Sequence, residues 1–192
     1  MSARLDDALA AAPMTGARAA LHRELVHGRR AEHPPPFPLT DPAGRLNGPA
    51  RSWLIQPAVG AALERLGAAL TYDLTLPPRC RETVILTVAH HHDSAFERYA
   101  HRLGAARAGL SAEETEELCA GRPPATASPD ERCAHRVARE LLAEGRLAEA
   151  TYRDAVHALG HQALFEVTTL TGFYTLLAHQ LSVYAITPPT AG

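Results

Sequence analysis

Cysteine is scarce in this sequence and occurs in no recognisable pairing pattern. The three cysteines, Cys80, Cys119 and Cys133, form no C-x-x-C pair and no spacing of the zinc-binding type. An odd number of dispersed thiols gives no disulfide framework, and such thiols are typical of proteins in a reducing compartment. We therefore expect a cytoplasmic protein that does not depend on disulfides.

Charge of one sign and long apolar runs are also lacking. Lys and Arg number 19 against 21 Asp and Glu, which leaves a formal net charge of −2. This balance gives no electrostatic reason to expect nucleic acid or an anionic membrane as a partner. No basic segment followed by an apolar one opens the chain, and no window approaches 18 apolar residues, so we expect neither a signal peptide nor a membrane span.

Aromatic residues make up only 5% of the 192 residues, alanine is common, and alternation of β-branched residues is nearly absent. That composition favours helices packed closely over small side chains, so we predict an all-α fold. The length and the 46% hydrophobic content suit one domain spanning residues 1–192. Within it, residues 1–49 are predicted to form an N-terminal helix and a proline-rich arm.

Prolines and potential caps mark most of the predicted helix starts. Ser111 and Glu114 have the spacing of a capping box, and the segment SPDE at 128–131 repeats it. We predict helices over 16–29, from Pro57, over 77–91, from Asp93 or Ser94 to about Arg107, from Ser111, and over 129–144, 148–159 and 161–184. The last of these is apolar almost throughout, which indicates burial on most sides and a subunit interface.

Glu82 is an unusual residue in the segment ETVILTVAH, because it shares a helical face with aliphatic side chains. We expect this carboxyl to be substantially buried. Burial without a neighbouring cation would raise its pKa, and the glutamate could then transfer protons near neutral pH. The alternative is a structural ion pair with Arg79, Arg81 or an arginine of another helix.

Ser94, Glu97 and His101 lie on one face of the next predicted helix. Glu97 and His101 are four residues apart, so the carboxylate could orient the imidazole for proton transfer. The alternative is an exposed pair without chemical function. The histidine run 90–92 and the pair His157 and His161 could also bind a metal, but neither has the ligand pattern of a metal site, and we predict no metal.

Three linked segments, LPPRCRETVIL, SAFERYAH and GLSAEETEEL, together resemble the carboxymuconolactone decarboxylase and alkyl hydroperoxidase D-like superfamily. The resemblance extends over most of the chain and leaves about the first fifteen residues unmatched. It implies an all-helical bundle that assembles into trimers or hexamers through apolar helices, with the site near a subunit interface.

The peroxidase branch of this superfamily carries a C-x-x-C pair on the motif helix, a histidine after it and a glutamate before it. Here the glutamate is Glu82 and the histidine is His101, but Ser94 and Glu97 occupy the cysteine positions. Neither can form the thiolate and disulfide that peroxide reduction needs. The pattern is similar instead to the cysteine-free, decarboxylase-like branch.

The resemblance therefore implies a cofactor-independent acid/base enzyme, a decarboxylase-like lyase acting on a small conjugated lactone or carbonyl acid. His101 would be the acid/base, oriented by Glu97; Glu82 would be a second proton-transfer group, and Ser94 would bind the substrate. An isomerase, dehydratase or cyclase on a related carbonyl compound and a non-catalytic oligomeric binding protein remain alternatives. The predicted substrate-binding residues are Trp53, Phe96, Arg81 and His91, with Arg51 as another candidate for binding a substrate carboxylate.

Overall fold

Helices form every extended regular element in the described part of the chain, residues 2–32 and 34–189 of a computed structural model. Ten helices are present there. The only β-type pairing within these residues is an isolated bridge between Thr40 and Leu46, and no strand forms. The prediction of an all-α fold is confirmed.

The chain divides into two units, and the first comprises the residues up to Asp73 together with those from His179 onward. Its helices are α1 (Ala3–Ala10), α2 (Gly16–His27), α3 (Arg29–Glu32), α4 (Ala50–Trp53) and α5 (Pro57–Tyr72). Arg30 binds both carboxylate oxygens of the buried Glu64 at 2.8 and 2.9 Å. Helix α1 lies before the first predicted helix, 16–29, in a segment where the sequence analysis placed no helix.

The second unit, Leu74–Ala178, contains the segment that the sequence singled out. Its helices are α6 (Pro78–His91), α7 (Ala95–Arg107), α8 (Ala112–Cys119), α9 (Pro129–Glu144) and most of α10 (Glu149–Val183). Helix α6 packs against α7, α8 and α9. Its residues 82–89 are all buried, so α6 is the central helix of this unit and its polar side chains there face protein rather than solvent.

Helix α10 is interrupted at Gly160, which adopts φ 77° and ψ 169°. A positive φ is readily available to glycine and costly for other residues. The break falls between the two helices predicted over 148–159 and 161–184. The sequence therefore located this boundary correctly.

The two predicted capping boxes are confirmed, and a single arginine joins them. Ser111 with Glu114 caps α8, and Ser128 with Glu131 caps α9, each through a reciprocal pair of hydrogen bonds. The Arg79 guanidinium, at the start of α6, donates to Glu131 Oε1 at 2.6 Å and to Glu114 Oε1 at 2.8 Å. Arg79 thus connects the starts of α6, α8 and α9 and holds these three helix ends together.

Across the described residues, no helix combines the length and the apolar character needed to cross a membrane. The sequence predicted one domain over residues 1–192, and this assignment stays a prediction. The structure divides into the two compact units described above.

Candidate active site

Glu82 and His101 form the central contact of the site. Glu82 lies on the buried face of α6 and His101 on α7, and His101 Nδ1 is 2.8 Å from Glu82 Oε2. The glutamate side chain is 3% exposed and the histidine side chain 19%. Glu82 and His101, the two residues that the sequence predicted as the main catalytic candidates, are therefore in direct contact. The histidine is the more exposed of the two.

The charge of Glu82 differs from the sequence-based expectation. Burial alone raises the pKa of this carboxyl, but the His101 imidazole and the Arg81 guanidinium outweigh burial, so its pKa lies below the ordinary value. The expected elevation of the Glu82 pKa is wrong, because a cation and an imidazole reach the carboxylate in the folded protein. An ionised carboxylate can only accept hydrogen bonds, so Nδ1 of His101 carries a proton and donates it to Glu82, and Nε2 is not part of this contact.

Gly104, one turn beyond His101 on α7, makes room for the Glu82 carboxylate. A Cβ atom at this position would lie 2.8 Å from Glu82 Oε2 and 3.1 Å from its Cδ. Carbon atoms in proteins do not approach other atoms this closely without displacing them. Glycine at position 104 therefore permits α7 to approach the carboxylate that His101 binds.

Glu97 is buried and makes no ion pair. It is 3% exposed, and both of its carboxylate oxygens lack a hydrogen-bond partner among the described residues. Burial raises the pKa of Glu97 to about 8, and the neighbouring Ser94 hydroxyl offsets only part of this rise. At neutral pH this carboxyl is therefore mostly protonated and can donate a hydrogen bond or a proton.

The expectation that Glu97 orients His101 is thus wrong, since His101 Nδ1 is held by Glu82. The i, i+4 spacing on α7 made Glu97 a possible partner of His101. In the structure, Glu82 of the neighbouring helix α6 binds His101 Nδ1 instead. The roles of the two glutamates are exchanged: Glu82 orients the histidine, and Glu97 is the carboxyl with a raised pKa.

Ser94 precedes the first turn of α7 and is 8% exposed. Its hydroxyl has no hydrogen-bond partner in the described structure and does not cap the helix. Glu97 and His101 follow on the same side of α7, and the His101 side chain is 19% exposed. Ser94 and Glu97 are thus buried, and His101 is the most exposed of the three.

Tyr174 of α10 is a neighbour that the sequence analysis missed. Its ring centroid lies 5.0 Å from that of His101, and the two ring planes are 86° apart. The sequence pattern marked this helix as apolar without distinguishing any position in it. Because α10 also contains Tyr152, Phe165 and Phe173, no signal in the sequence singled out Tyr174.

The predicted substrate-binding residues Phe96, Arg81 and His91 differ in their burial and in their contacts. Phe96 is buried on α7, with its ring centroid 6.1 Å from that of Tyr99. The Arg81 guanidinium lies 3.2 Å from Glu82 Oε1, so it neutralises that carboxylate. His91 is exposed, and its ring packs edge-on against His92 at 4.8 Å. Contact of these three residues with a substrate stays a prediction.

Trp53 belongs to the first unit. Its indole Nε1 donates a hydrogen bond to Gln180 Oε1 at 3.1 Å, and the side chain is buried. Arg51, in the same short helix, pairs with Asp6 at 2.5 Å. These contacts stabilise the first unit, and a role for either residue in substrate binding stays a prediction.

The three histidines at the end of α6 point to different partners. His90 Nδ1 lies 3.0 Å from the carbonyl oxygen of Cys119, and His92 Nε2 lies 3.3 Å from the Thr175 hydroxyl. His91 remains exposed. Within the described residues, no group of three or more His, Cys, Asp or Glu side chains is arranged to hold a metal ion.

The three cysteines are poor candidates for thiol chemistry. Cys80 and Cys133 are buried and Cys119 is half-buried. Burial raises the pKa of all three thiols, that of Cys80 to about 12. Because the thiolate is the reactive form, these side chains are not prepared for peroxide reduction at neutral pH.

Part of the chain matches a known protein family. Residues 57–140 match the model of the carboxymuconolactone decarboxylase family, and the matched segment includes Glu82, Ser94, Glu97 and His101. No curated protein matches the sequence significantly.

Several solved structures share the fold. A peroxidase-related protein of Ralstonia eutropha, described as an alkylhydroperoxidase AhpD core, has a TM-score of 0.72 at 15% identity, over 95% of this chain and 89% of that one. A peroxidase-related protein of Silicibacter has a TM-score of 0.65 at 14% identity, over 73% and 75%. A debrominase variant solved with 2,3,4-tribromopyrrole has a TM-score of 0.66 at 11% identity, over 84% and 89%. At these identities the similarity shows a common fold and no common reaction.

Proposed function

We propose that this chain, whose residues 57–140 match the model of the carboxymuconolactone decarboxylase family and whose fold is shared with an alkylhydroperoxidase AhpD core, is a cofactor-independent acid/base enzyme. Its reaction would be that of a decarboxylase-like lyase on a small conjugated lactone or carbonyl acid. The observation that carries the proposal is the 2.8 Å contact between Glu82 Oε2 and His101 Nδ1. A buried carboxylate that fixes the tautomer of a partly exposed histidine is an arrangement suited to proton transfer.

The proposed reaction needs a substrate whose carboxylate is conjugated through carbon to a carbonyl group. The bond between the carboxylate carbon and the adjacent carbon breaks, carbon dioxide leaves, and the electron pair enters the conjugated carbonyl as a dienolate. His101, protonated at Nε2, then delivers a proton to carbon and regains one from solvent. One proton is consumed for each carbon dioxide released, so atoms and charge balance.

Each of the other site residues has a proposed part in this scheme. Glu82 keeps His101 oriented and stabilises the imidazolium form. Glu97, protonated near neutral pH, donates a hydrogen bond or a proton, and Ser94 binds the substrate. Cys80 and the other buried thiols take no part, which makes a thiol peroxidase unsuitable as the function.

A second candidate is an isomerase, dehydratase or cyclase on a related carbonyl compound. It is favoured by the presence of one oriented imidazole and one raised-pKa carboxyl on the same helix. Such a pair can remove a proton at one position and supply one at another without loss of carbon dioxide.

Assembly into a homo-oligomer belongs to the same proposal. Phe165 and Leu176 on α10 remain 72% and 39% exposed in the single chain. Exposed large apolar side chains on one helix support burial against further copies of the chain. Light scattering on the wild type and on Phe165→Asp would test this: a single-chain mass for the wild type contradicts it.

The experiment that tests the function is turnover of γ-carboxymuconolactone by the purified protein, with mass spectrometry of the product. Loss of carbon dioxide in the wild type, abolished in His101→Ala and in Glu82→Gln, supports the lyase. Conversion to a product of unchanged mass supports the second candidate. Unimpaired turnover in His101→Ala would contradict both.

A further inference from the structure

The segment Ser94-Ala-Phe-Glu97 has the S-x-x-E spacing of a capping box at the start of α7, yet no capping box forms. The same spacing produces complete boxes at the starts of α8 and α9. Ser111 N–H donates to Glu114 Oε2 at 2.8 Å, and Ser128 N–H donates to Glu131 Oε2 at 3.0 Å. One of three equivalent sequences therefore departs from the arrangement that its spacing favours.

The end of helix α6 explains this departure. The backbone N–H of Ser94 donates to the carbonyl oxygen of Ala89 at 2.9 Å, as part of the termination of α6. Asp93, between the two helices, adopts φ 50° to make this connection. In a capping box, the glutamate would accept a hydrogen bond from the Ser94 N–H. Because this N–H already donates to Ala89, Glu97 finds no partner at the start of the helix.

Two polar side chains are left in the interior as a result. The Ser94 hydroxyl and the Glu97 carboxyl are neighbours, and the serine lowers the pKa of the carboxyl; apart from this contact, both groups are buried without hydrogen bonds among the described residues. A buried polar group without a partner costs free energy, and its retention calls for an explanation such as a ligand. His101, on the following turn of α7, is partly exposed.

We propose that Ser94 and Glu97 together bind the reactive carbonyl oxygen of the substrate and donate two hydrogen bonds to it as it becomes an enolate. This inference rests on the proposed function and names the chemical class of the group that the site binds. A protonated carboxyl supplies one O–H donor and serine supplies a second. Donors placed where negative charge develops stabilise the transition state more than the ground state.

The number of hydrogen-bond donors on Ser94 and Glu97 also determines which ligand group they prefer. Two donors satisfy one acceptor oxygen, as in an enol, enolate or phenolate. A carboxylate brings two acceptor oxygens and a full charge, and one of its oxygens would be left unpaired beside Glu97. The pair therefore favours a conjugated carbonyl over a carboxylate at this position.

The test is equilibrium binding of 4-nitrophenol, an enolate mimic, compared with 4-nitrobenzoate, a carboxylate of similar size. We expect saturable binding of nitrophenol near neutral pH, accompanied by a larger fraction of its coloured phenolate form, and at least ten-fold weaker binding of nitrobenzoate. Ser94→Ala and Glu97→Met each remove one O–H donor, and each should weaken nitrophenol binding at least ten-fold.

The closed capping box of α8 provides matched controls. Ser111→Ala removes a serine whose hydroxyl accepts from Glu114 N–H at 3.1 Å, so this variant should melt at a lower temperature and bind nitrophenol unchanged. Ser94→Ala removes no cap, so its melting temperature should not fall. A merely structural Ser94 would give the same response as Ser111.

Three results would overturn the proposal: absence of saturable nitrophenol binding, equal affinity for nitrobenzoate, or unchanged binding in both site variants. Because the assay needs no turnover, its outcome is separate from that of the lactone experiment. Nitrophenol binding that depends on Ser94 and Glu97, without decarboxylation of the lactone, would keep this inference and reject the proposed substrate.

Discussion

His101 Nδ1 on α7 lies 2.8 Å from Glu82 Oε2 on α6, although the two residues are 19 positions apart in the chain. The contact joins the central buried helix of its unit to a side chain that reaches solvent. Glu82 lies beneath Gly104, whose missing side chain makes the approach possible. This relationship determines which nitrogen of His101 carries a proton, and it leads to the first two predictions.

Glu82→Gln should change the tautomer of His101. In the wild type the ionised carboxylate requires a proton on Nδ1, whereas a glutamine amide can accept or donate, so both tautomers become populated. Nitrogen-15 NMR of histidine-labelled protein measures this directly, with the His101 signal assigned by its loss in His101→Gln. On a productive substrate the same variant should lose about 10²- to 10⁴-fold in kcat.

The control for this prediction is Glu116→Gln, which removes an exposed carboxylate paired with Arg102. It should leave the His101 signals and the activity unchanged. An unaltered His101 tautomer in Glu82→Gln would show that the glutamate does not set the protonation of the ring.

Gly104→Ala should destabilise the protein despite the better helix propensity of alanine. The new Cβ would lie 2.8 Å from Glu82 Oε2 and force the carboxylate or the helix to move. We expect a loss of about 1–3 kcal/mol in the free energy of unfolding, measured by urea denaturation. Activity should fall as well, because the Glu82 to His101 contact is displaced.

Gly172 in α10 is the matched control, since a Cβ there meets no atom within 4 Å. In the single chain, Gly172→Ala should stabilise the fold by about 0.5–1 kcal/mol through helix propensity alone. Equal stabilisation by Gly104→Ala would mean that the space beside Glu82 is not restricted.

Glu97 should make the stability of the protein fall as the pH rises. Its pKa is raised from 4.5 in the unfolded reference to about 8 in the folded protein. A raised folded-state pKa contributes stability that is complete below the unfolded pKa and is lost as the pH rises through the folded pKa. Between about pH 4.5 and 8, the wild type should therefore lose on the order of a few kcal/mol relative to Glu97→Gln.

Urea denaturation across this pH range measures the effect. The exposed Glu113 provides a control, and Glu113→Gln should follow the wild-type curve. Parallel curves for the wild type and Glu97→Gln would contradict a protonated Glu97.

Arg79→Gln should cost about 2 kcal/mol at neutral pH, because Arg79 binds Glu114 and the buried Glu131 at the starts of two helices. Bonding to Arg79 holds the pKa of Glu114 at about 2, so this contribution is present above about pH 4.5 and is lost as the pH falls through about 2. The difference in stability between the wild type and the variant should narrow over that interval.

Arg102→Gln removes an arginine from an exposed pair with Glu116 and should cost less than about 1 kcal/mol. A cost for Arg79→Gln no greater than for Arg102→Gln would show that the connection between the capping boxes adds no stability.

The features of this fold that the sequence predicted depend on local chemistry. Proline at the starts of α5, α6 and α9, the capping-box serines Ser111 and Ser128, and the glycine break at Gly160 each act within a few residues. The motif resemblance in turn brought Glu82 and His101 together as a candidate pair. Both kinds of signal can be read without knowing how the helices pack.

The remaining features depend on contacts between helices. Spacing along α7 favoured Glu97 as the partner of His101, but Glu82 approached from α6 through the space left by Gly104. The exchanged charge states of the two glutamates follow from that packing. Tyr174 packs against His101 from α10, and the sequence of α10 did not single out any residue as part of the site. None of these relationships is encoded in a local pattern.

The protonation state of Glu97 is the most direct test of the central claim that one site holds an oriented imidazole and a protonated carboxyl at neutral pH. Infrared difference spectroscopy of protein labelled with carbon-13 glutamate, compared with Glu97→Gln, would follow this group through its titration. We predict a protonated carboxyl band that persists at neutral pH, disappears near pH 8 and is absent from the variant. Ionisation of Glu97 near pH 4.5, with no band left at neutral pH, would contradict it.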